Sequence, residues 1–461
     1  MRSFLPAFAA LLLTFSAPAQ QPSGPARPIS EKLDEYLTAA SGLNRFNGSV
    51  LVARKGEVLL HRAYGLRDRA RQVPHDTSSL FQVGSITKTF VGAVILQLQE
   101  EKKLTMQDKL SRFFPDFPNG DRITLDQLFF HTSGLYDFKN LLYSTDPAER
   151  DALTRPVARE WLVSRFRDKP LASQPGTEVH YTNSGYYLLG MIIEKVTGKP
   201  FETVVRERFL RPLNLTRTGF DFIHTRQPGK SVGYSFEKDS AFVPVAVVDS
   251  TVGYAAGGMY SSTGDLYRWS RVVQNRQRLR PESWEAALSP PNGGMWGYGW
   301  GVNKMPGDKK LIFQNGNLPG FGTYFIQIPQ DDVTIILLGN TDDVSDLTST
   351  EPIARDLLSI VYGFPYQLPK NRKVISVSET VLRQYVGNYR LSPDKTIAIT
   401  LESGRLFLQV TGQDRFELFP ESETDFFLKV VDAQLTFHRD AGGNVSRMVV
   451  HQGGDHEAKR M

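Results

Sequence analysis

The chain has 461 residues, 40% hydrophobic and 11% aromatic, so it carries enough apolar surface for more than one packed core and is not a disordered polymer. A formal net charge of +5 is too mild and too dispersed to imply a nucleic-acid partner. The absence of cysteine excludes disulfides, thiolate metal ligands and a lipidated cysteine, and the eight histidines follow no metal-ligand spacing, so neither a metal nor a cofactor is expected.

Residues 1–19 read as a secretory signal: Arg2, an apolar run from Phe4 to Phe15, then the small residues Ala17-Pro18-Ala19. The run is too short to span a bilayer, and no other stretch approaches 18 apolar residues. The expectation is an exported protein, periplasmic or secreted, without stable membrane insertion. Ser30 to Ala40 is patterned as an amphipathic helix. Gly48 to Ala53 and Val58 to Ala63 flank Arg54-Lys55-Gly56-Glu57 as a hairpin.

A Ser-x-x-Lys tetrad, Ser85-Ile86-Thr87-Lys88, follows and opens a long apolar helix in which Phe90, Val91, Val94, Ile95 and Leu98 recur at helical spacing. At i+3 the Lys88 amine shares a helix face with the Ser85 hydroxyl and can reach it. A serine hydroxyl must lose its proton as it attacks, and a helix N-terminus favours the developing negative charge, so the tetrad supplies nucleophile, base and field together. The pattern recurs at Ser235/Lys238 and Ser392/Lys395. Neither copy opens a helical pattern, and Ser392-Pro393-Asp394-Lys395 reads as a turn between strands.

A short helix from about Thr124 breaks at His131-Thr132-Ser133-Gly134-Leu135. The segment from Pro175 then delivers Tyr181-Thr182-Asn183 into a second apolar helix that stops at Gly198 and Pro200. A buried tyrosine hydroxyl can relay a proton and an asparagine amide can hold a carbonyl, so Tyr181 and Asn183 join the candidate site. Phe313 to Thr323 joins two strand-like runs, with glycines that permit close backbone approach. Thr323 to Ile328 and Val333 to Leu338 form a second hairpin, and a helix runs from Pro352 to Tyr362.

Pro365, Pro369 and the run Lys370 to Lys373 mark a linker over 364–375. Behind it, Ser376-Val377-Ser378-Glu379 has capping-box spacing into a short helix. Strand runs follow at Thr396 to Leu401, Leu406 to Val410, Glu417 to Phe419, Phe426 to Val431, Gln434 to His438 and Val445 to His451. Residues 376–461 are therefore expected to form a small antiparallel β-barrel, with His451 and His456 as tail residues.

The tetrad, the Tyr-x-Asn triplet, Leu128 to Leu135, Ala256 to Leu266 and Gly297-Tyr298-Gly299-Trp300-Gly301 resemble, in that order, the serine β-lactamase and penicillin-binding-protein superfamily. The likeness is to its class C β-lactamase-related esterase and peptidase branch, and it covers roughly Ile29 to Gly363. It implies an α+β fold: a β-lactamase/transpeptidase-like domain over 29–363, an antiparallel sheet flanked by helices with a helical insert. The C-terminal barrel resembles the lipocalin-like appendage found behind such domains. By the resemblance Ser85 is acylated, Lys88 and Tyr181 share base and acid duties, and Asn183 steadies Lys88 and the substrate carbonyl. The N–H groups of Ser85 and Asn317, beside Gly316, would form the oxyanion hole, and His131 would be structural. Gln314 stands where the family places a Lys or His before x-Gly; it donates a hydrogen bond but carries no charge. The expected function is an exported serine hydrolase acting on a neutral ester or amide, with a small-molecule, peptide or ester substrate as its partner. The alternatives are a D,D-carboxypeptidase or D-aminopeptidase-type enzyme, or a catalytically impaired binding protein on the same fold.

Overall fold

The computed structural model describes residues 27–144, 146–236, 242–342, 349–428, 433–452 and 455–461; the signal of residues 1–19 and Lys238 of the second tetrad lie outside them. The chain divides into two compact units, one of Arg27–Val344 with Thr348–Leu358 and the other including Ser359–Met461.

In the first unit, helix α1 (Ile29–Gly42) buries Leu33, Tyr36, Leu37 and Ala40, the stripe its sequence spacing dictates. Strands β1 (Gly48–Arg54) and β2 (Glu57–Tyr64) form the hairpin, turned through Lys55 and Gly56, both at positive φ. A 3₁₀ turn, Gly84–Ile86, leads directly into α2 (Thr87–Glu100), which is apolar on nearly every side and correspondingly buried over most of its length. Helix α3 (Asn183–Thr197) is capped by Thr182, whose hydroxyl accepts from Ser184 N–H, and stopped by Gly198 at φ 66°. Helices α4 (Ser250–Gly257) and α5 (Thr263–Gln274) follow.

Strands β3 (Gly301–Met305), β4 (Lys309–Leu318), β5 (Phe321–Ile328) and β6 (Val333–Gly339) complete a six-stranded antiparallel sheet in the order β2-β1-β6-β5-β4-β3. Helix α1 packs on β2, and α5 packs on β1 and β6. Much of the segment expected to connect two strand runs is itself strand. Residues 309–318 form β4, and only Pro319 and Gly320, the latter at φ 79°, turn the chain. Gln314, Asn315, Asn317 and Gly316 are poor strand formers, but pairing with β5 from Ile312 to Leu318 overrides local preference. Helix α6 (Thr350–Tyr362) follows the sheet.

The second unit opens with α7 (Glu379–Tyr385), which is capped at Ser378 without a side-chain hydrogen bond; Glu379 is thus the first helical residue, not the third, and the capping box expected from Ser376 and Glu379 is not formed. Eight strands then close into an antiparallel barrel in sequence order: β7 (Gly387–Ser392), β8 (Lys395–Glu402), β9 (Arg405–Val410), β10 (Arg415–Pro420), β11 (Asp425–Phe427), β12 (Gln434–Arg439), β13 (Val445–His451) and β14 (Asp455–Arg460). His451 and His456 are not tail residues: His451 ends β13, and His456 lies on β14, which pairs with both β13 and β7 and closes the barrel. β14 escaped notice because Ala458 is its one buried position, so it shows no apolar alternation. Leu382, Tyr385, Tyr389, Ile399, Leu406, Phe437 and Met448 are among the side chains packed in the barrel core, which is filled rather than hollow.

Candidate active site

The 3₁₀ turn and first turn of α2 set Ser85 and Lys88 on one face, with Lys88 Nζ 2.8 Å from Ser85 Oγ. Lys88 is 0% exposed. Its amine meets two further acceptors, Asn183 Oδ1 at 2.8 Å and the Ala256 carbonyl at 2.7 Å. Burial pushes the amine down to about 7, against the opposing pull of the Asp137 charge. Neither the Asn183 oxygen nor the Ala256 carbonyl can donate. A neutral amine therefore spends its two hydrogens on them and turns its lone pair to Ser85 Oγ.

Ala256 reaches Lys88 because α4 is kinked. Tyr254 adopts φ 41° and ψ −128°, a strained conformation that reverses the chain two residues before that carbonyl.

Tyr181, just ahead of the Thr182 cap of α3, donates its hydroxyl to Ser85 Oγ at 2.9 Å. Burial drives its pKa well above the ordinary phenol range, which keeps the hydroxyl protonated. His131 brackets this segment at three points. Its carbonyl accepts from His180 N–H at 2.8 Å, its Nδ1 accepts from Thr182 N–H at 3.2 Å, and its ring lies 4.2 Å, centroid to centroid, from that of Tyr181. Burial, then the charge of Lys88, pushes His131 well below its ordinary range, so it stands as a neutral support. Trp296 packs on the rings of both His131 and Tyr181.

On the opposite side, β4 passes against the turn that carries Ser85. A Cβ on Gly316 would fall 2.1 Å from the Val83 carbonyl, and one on Gly84 would fall 3.2 Å from Asn317 N. Only glycine at 316 lets the strand come this close. Gln314 is 1% exposed and donates its Nε2 to the Gly299 carbonyl at 3.1 Å. Gly299, at φ 89°, is in turn held by the Tyr186 hydroxyl and lies against the Lys88 carbonyl.

Ser85, Lys88, Tyr181 and Asn183 are thus joined by direct hydrogen bonds, with Gly316 and Asn317 beside the turn that carries Ser85 and Gln314 bonded to Gly299. The other tetrads have no such setting. Ser235 lies within a short strand, and Ser392 ends β7 with its hydroxyl on Asp394. Sequence reasoning missed Ala256, which acts through a backbone carbonyl that no residue type advertises. It also missed Asp137, whose nearness to His131–Leu135 was the available signal.

The beta-lactamase family matches residues 33–358. The chain belongs to that family. A domain of unknown function matches residues 371–460 of this beta-lactamase-family chain, the region of the barrel. A penicillin-binding protein of Bacillus subtilis strain 168 is 28% identical over 443 residues, 90% of this chain and 95% of that protein. Among solved structures, an octameric penicillin-binding protein homologue from Pyrococcus abyssi shares the fold with TM-score 0.66 and 22% identity, over 93% of this chain and 99% of that one. A D-amino acid amidase from Ochrobactrum anthropi SV3 shares it with TM-score 0.61 and 20% identity, over 72% and 98%. The chain is thus a serine β-lactamase-fold protein related to the penicillin-binding proteins, with a closed eight-stranded barrel behind the family domain.

Proposed function

We propose that the protein is an exported serine hydrolase that cleaves a neutral ester or amide through an acyl-enzyme on Ser85. The observation that carries this reading is the Lys88 amine, buried, held near neutrality, and limited by two fixed acceptors to a lone pair facing Ser85. As Ser85 Oγ attacks the carbonyl carbon, Lys88 takes the hydroxyl proton. The oxyanion forms against the N–H groups of Ser85 and Asn317, a contribution of about 3 kcal/mol per donor. Tyr181, which stays protonated, gives its proton to the departing alcohol or amine and recovers one from Lys88. Water then enters in place of the leaving group, loses a proton to the same relay, and releases the acid from Ser85.

The preference for a neutral substrate rests on Gln314, which is buried, uncharged and bonded to Gly299 O. Export rests on the Arg2, apolar-run and Ala17-Pro18-Ala19 pattern. Among the described residues no helix is long and apolar enough to cross a membrane.

The test is intact-mass analysis of the mature protein after brief exposure to short-chain activated esters, a penicillin and a D-Ala-terminated peptide, with Ser85→Ala in parallel. A Ser85-dependent adduct or turnover with the esters supports the reading. Release of D-alanine from the peptide instead makes it a peptidase. Neither adduct nor turnover with any reagent sinks the hydrolase and leaves a binding protein on the same fold.

A further inference from the structure

A buried carboxylate, Asp137, stands behind Asn183. Asp137 caps the 3₁₀ turn Phe138–Tyr143, accepting from Lys139 N–H at 3.1 Å. Its Oδ1 also accepts from Asn183 N–H at 3.1 Å, and its two oxygens face Asn183 Nδ2 at 3.3 and 3.4 Å. We propose that Asp137 is a positioning residue that decides which end of the Asn183 amide meets Lys88 and supplies the counter-charge to that amine. This inference rests on the reading of Lys88 as the base.

Donors and acceptors fix the orientation of the amide. A primary amide carries an acceptor on one side and a donor on the other. A carboxylate facing one side fixes it as the NH₂ side, so the oxygen is left for Lys88. With the amide reversed, its oxygen would face residue 137 and its NH₂ would face the Lys88 amine, which would lose one of its two fixed acceptors. The lone pair would then no longer be confined to Ser85. The partners of Asp137 named above are all donors, which is the pattern of an ionised carboxylate.

The charged and titratable groups around Asp137 come from three elements. Lys139, on its own turn, lies 3.8 Å away with its side chain 41% exposed, so water screens it. Lys88 comes from α2, and Tyr181 from the segment before α3. Burial pushes the Asp137 carboxyl upward, and the N–H of Lys139 leads the groups that oppose it. Its negative charge in turn opposes the desolvation of Lys88. Removing that charge lowers the Lys88 pKa further and extends the neutral amine to lower pH.

The test uses the full chain labelled with ε-¹³C-lysine, in which the Lys88 resonance is identified by its loss in Lys88→Arg and titrated in wild type and Asp137→Asn. The expected result is a Lys88 midpoint lower in Asp137→Asn by at least about half a pH unit, with the acid limb of kcat/KM moving down in step. Asp137→Ala, which also frees the amide, should lose at least about tenfold in kcat with KM little changed. An unmoved Lys88 midpoint in Asp137→Asn overturns the proposal, as does unchanged kcat in a folded Asp137→Ala. The titration needs no substrate. If the wild type turns over nothing, the hydrolase reading fails while the titration still decides the electrostatic role of Asp137.

Discussion

Ser85, Lys88, Tyr181 and Asn183 act as one hydrogen-bonded unit, so their removal should be far from additive. Ser85→Ala should abolish ester or amide turnover, and Lys88→Ala should lower kcat by about 10³-fold or more, whereas Ser235→Ala and Ser392→Ala should stay near wild type. Steady-state kinetics on the four variants check this, and a comparable loss at either of the last two would move the nucleophile elsewhere. The pH dependence follows from the same geometry. In the proposed mechanism Lys88 acts as a base only when neutral, and burial lowers its pKa to about 7 from an ordinary 10.5. Activity should therefore rise as pH increases through about 7 and fall away below it. Tyr181 is shifted upward and stays protonated, so it adds no loss of activity between pH 7 and its own titration. A kcat/KM profile flat from pH 5 to 9 would contradict the assignment of Lys88. The four residues were legible because each is a side chain with its own chemistry at a fixed spacing. Ala256 was not, because a carbonyl belongs to every residue and only the kink at Tyr254 aims this one.

Elements approach one another at the site through glycines such as Gly316, and a comparison with Gly198, at the far end of α3, separates space from conformation. A Cβ on Gly316 meets the Val83 carbonyl at 2.1 Å, backbone against backbone, and neither strand nor turn can yield without moving Ser85. Gly198 ends α3 at φ 66° in open space, with nothing within 4 Å of its Cβ. Gly316→Ala should therefore cost at least about 2 kcal/mol and most of the turnover. Gly198→Ala should cost about 1 kcal/mol, the penalty of a left-handed alanine, and leave kcat unchanged. Denaturant melts paired with kinetics check both. Equal effects in the two variants would show that conformation, not the close approach of β4, sets the cost. At this scale α1, the β1–β2 hairpin, α2 and α3 could be read from periodicity, since each buries a regular stripe or is buried all round. The extent of β4 and the whole of β14 could not. Gln314 to Asn317 in β4, and all of β14 but Ala458, show no apolar strand pattern, and they are held by paired strands, Phe321–Ile328 for the one and Val445–His451 with Gly387–Ser392 for the other.

The whole molecule consists of two units, each with its own sheet and its own core. The closed barrel leaves no open sheet edge and encloses side chains such as Tyr385, Tyr389 and Met448, so it should fold by itself. A fragment of residues 371–461 should unfold in one cooperative transition, and Ala458→Asp, which places a charge at a fully buried position of the closing strand, should destabilise it by at least about 3 kcal/mol. A fragment that melts without cooperativity would show that the barrel needs the remainder of the chain. The sequence by itself singled out Ser85, Lys88, Tyr181 and Asn183, which the structure joins by hydrogen bonds, and it indicated the family fold and a β-rich second domain. The four residues and the β-rich domain follow from short spacings and from apolar periodicity, both local properties, and the family fold from the resemblance that the ordered motifs carry. Only the tertiary structure decided how that chemistry is aimed: the Ala256 carbonyl on Lys88, Asp137 behind Asn183, His131 against Tyr181, Gln314 drawn to Gly299 and the barrel closed by β14. Each depends on residues brought together from 15 to 168 positions apart, where burial and directional hydrogen bonds, rather than residue type, fix what a group can do.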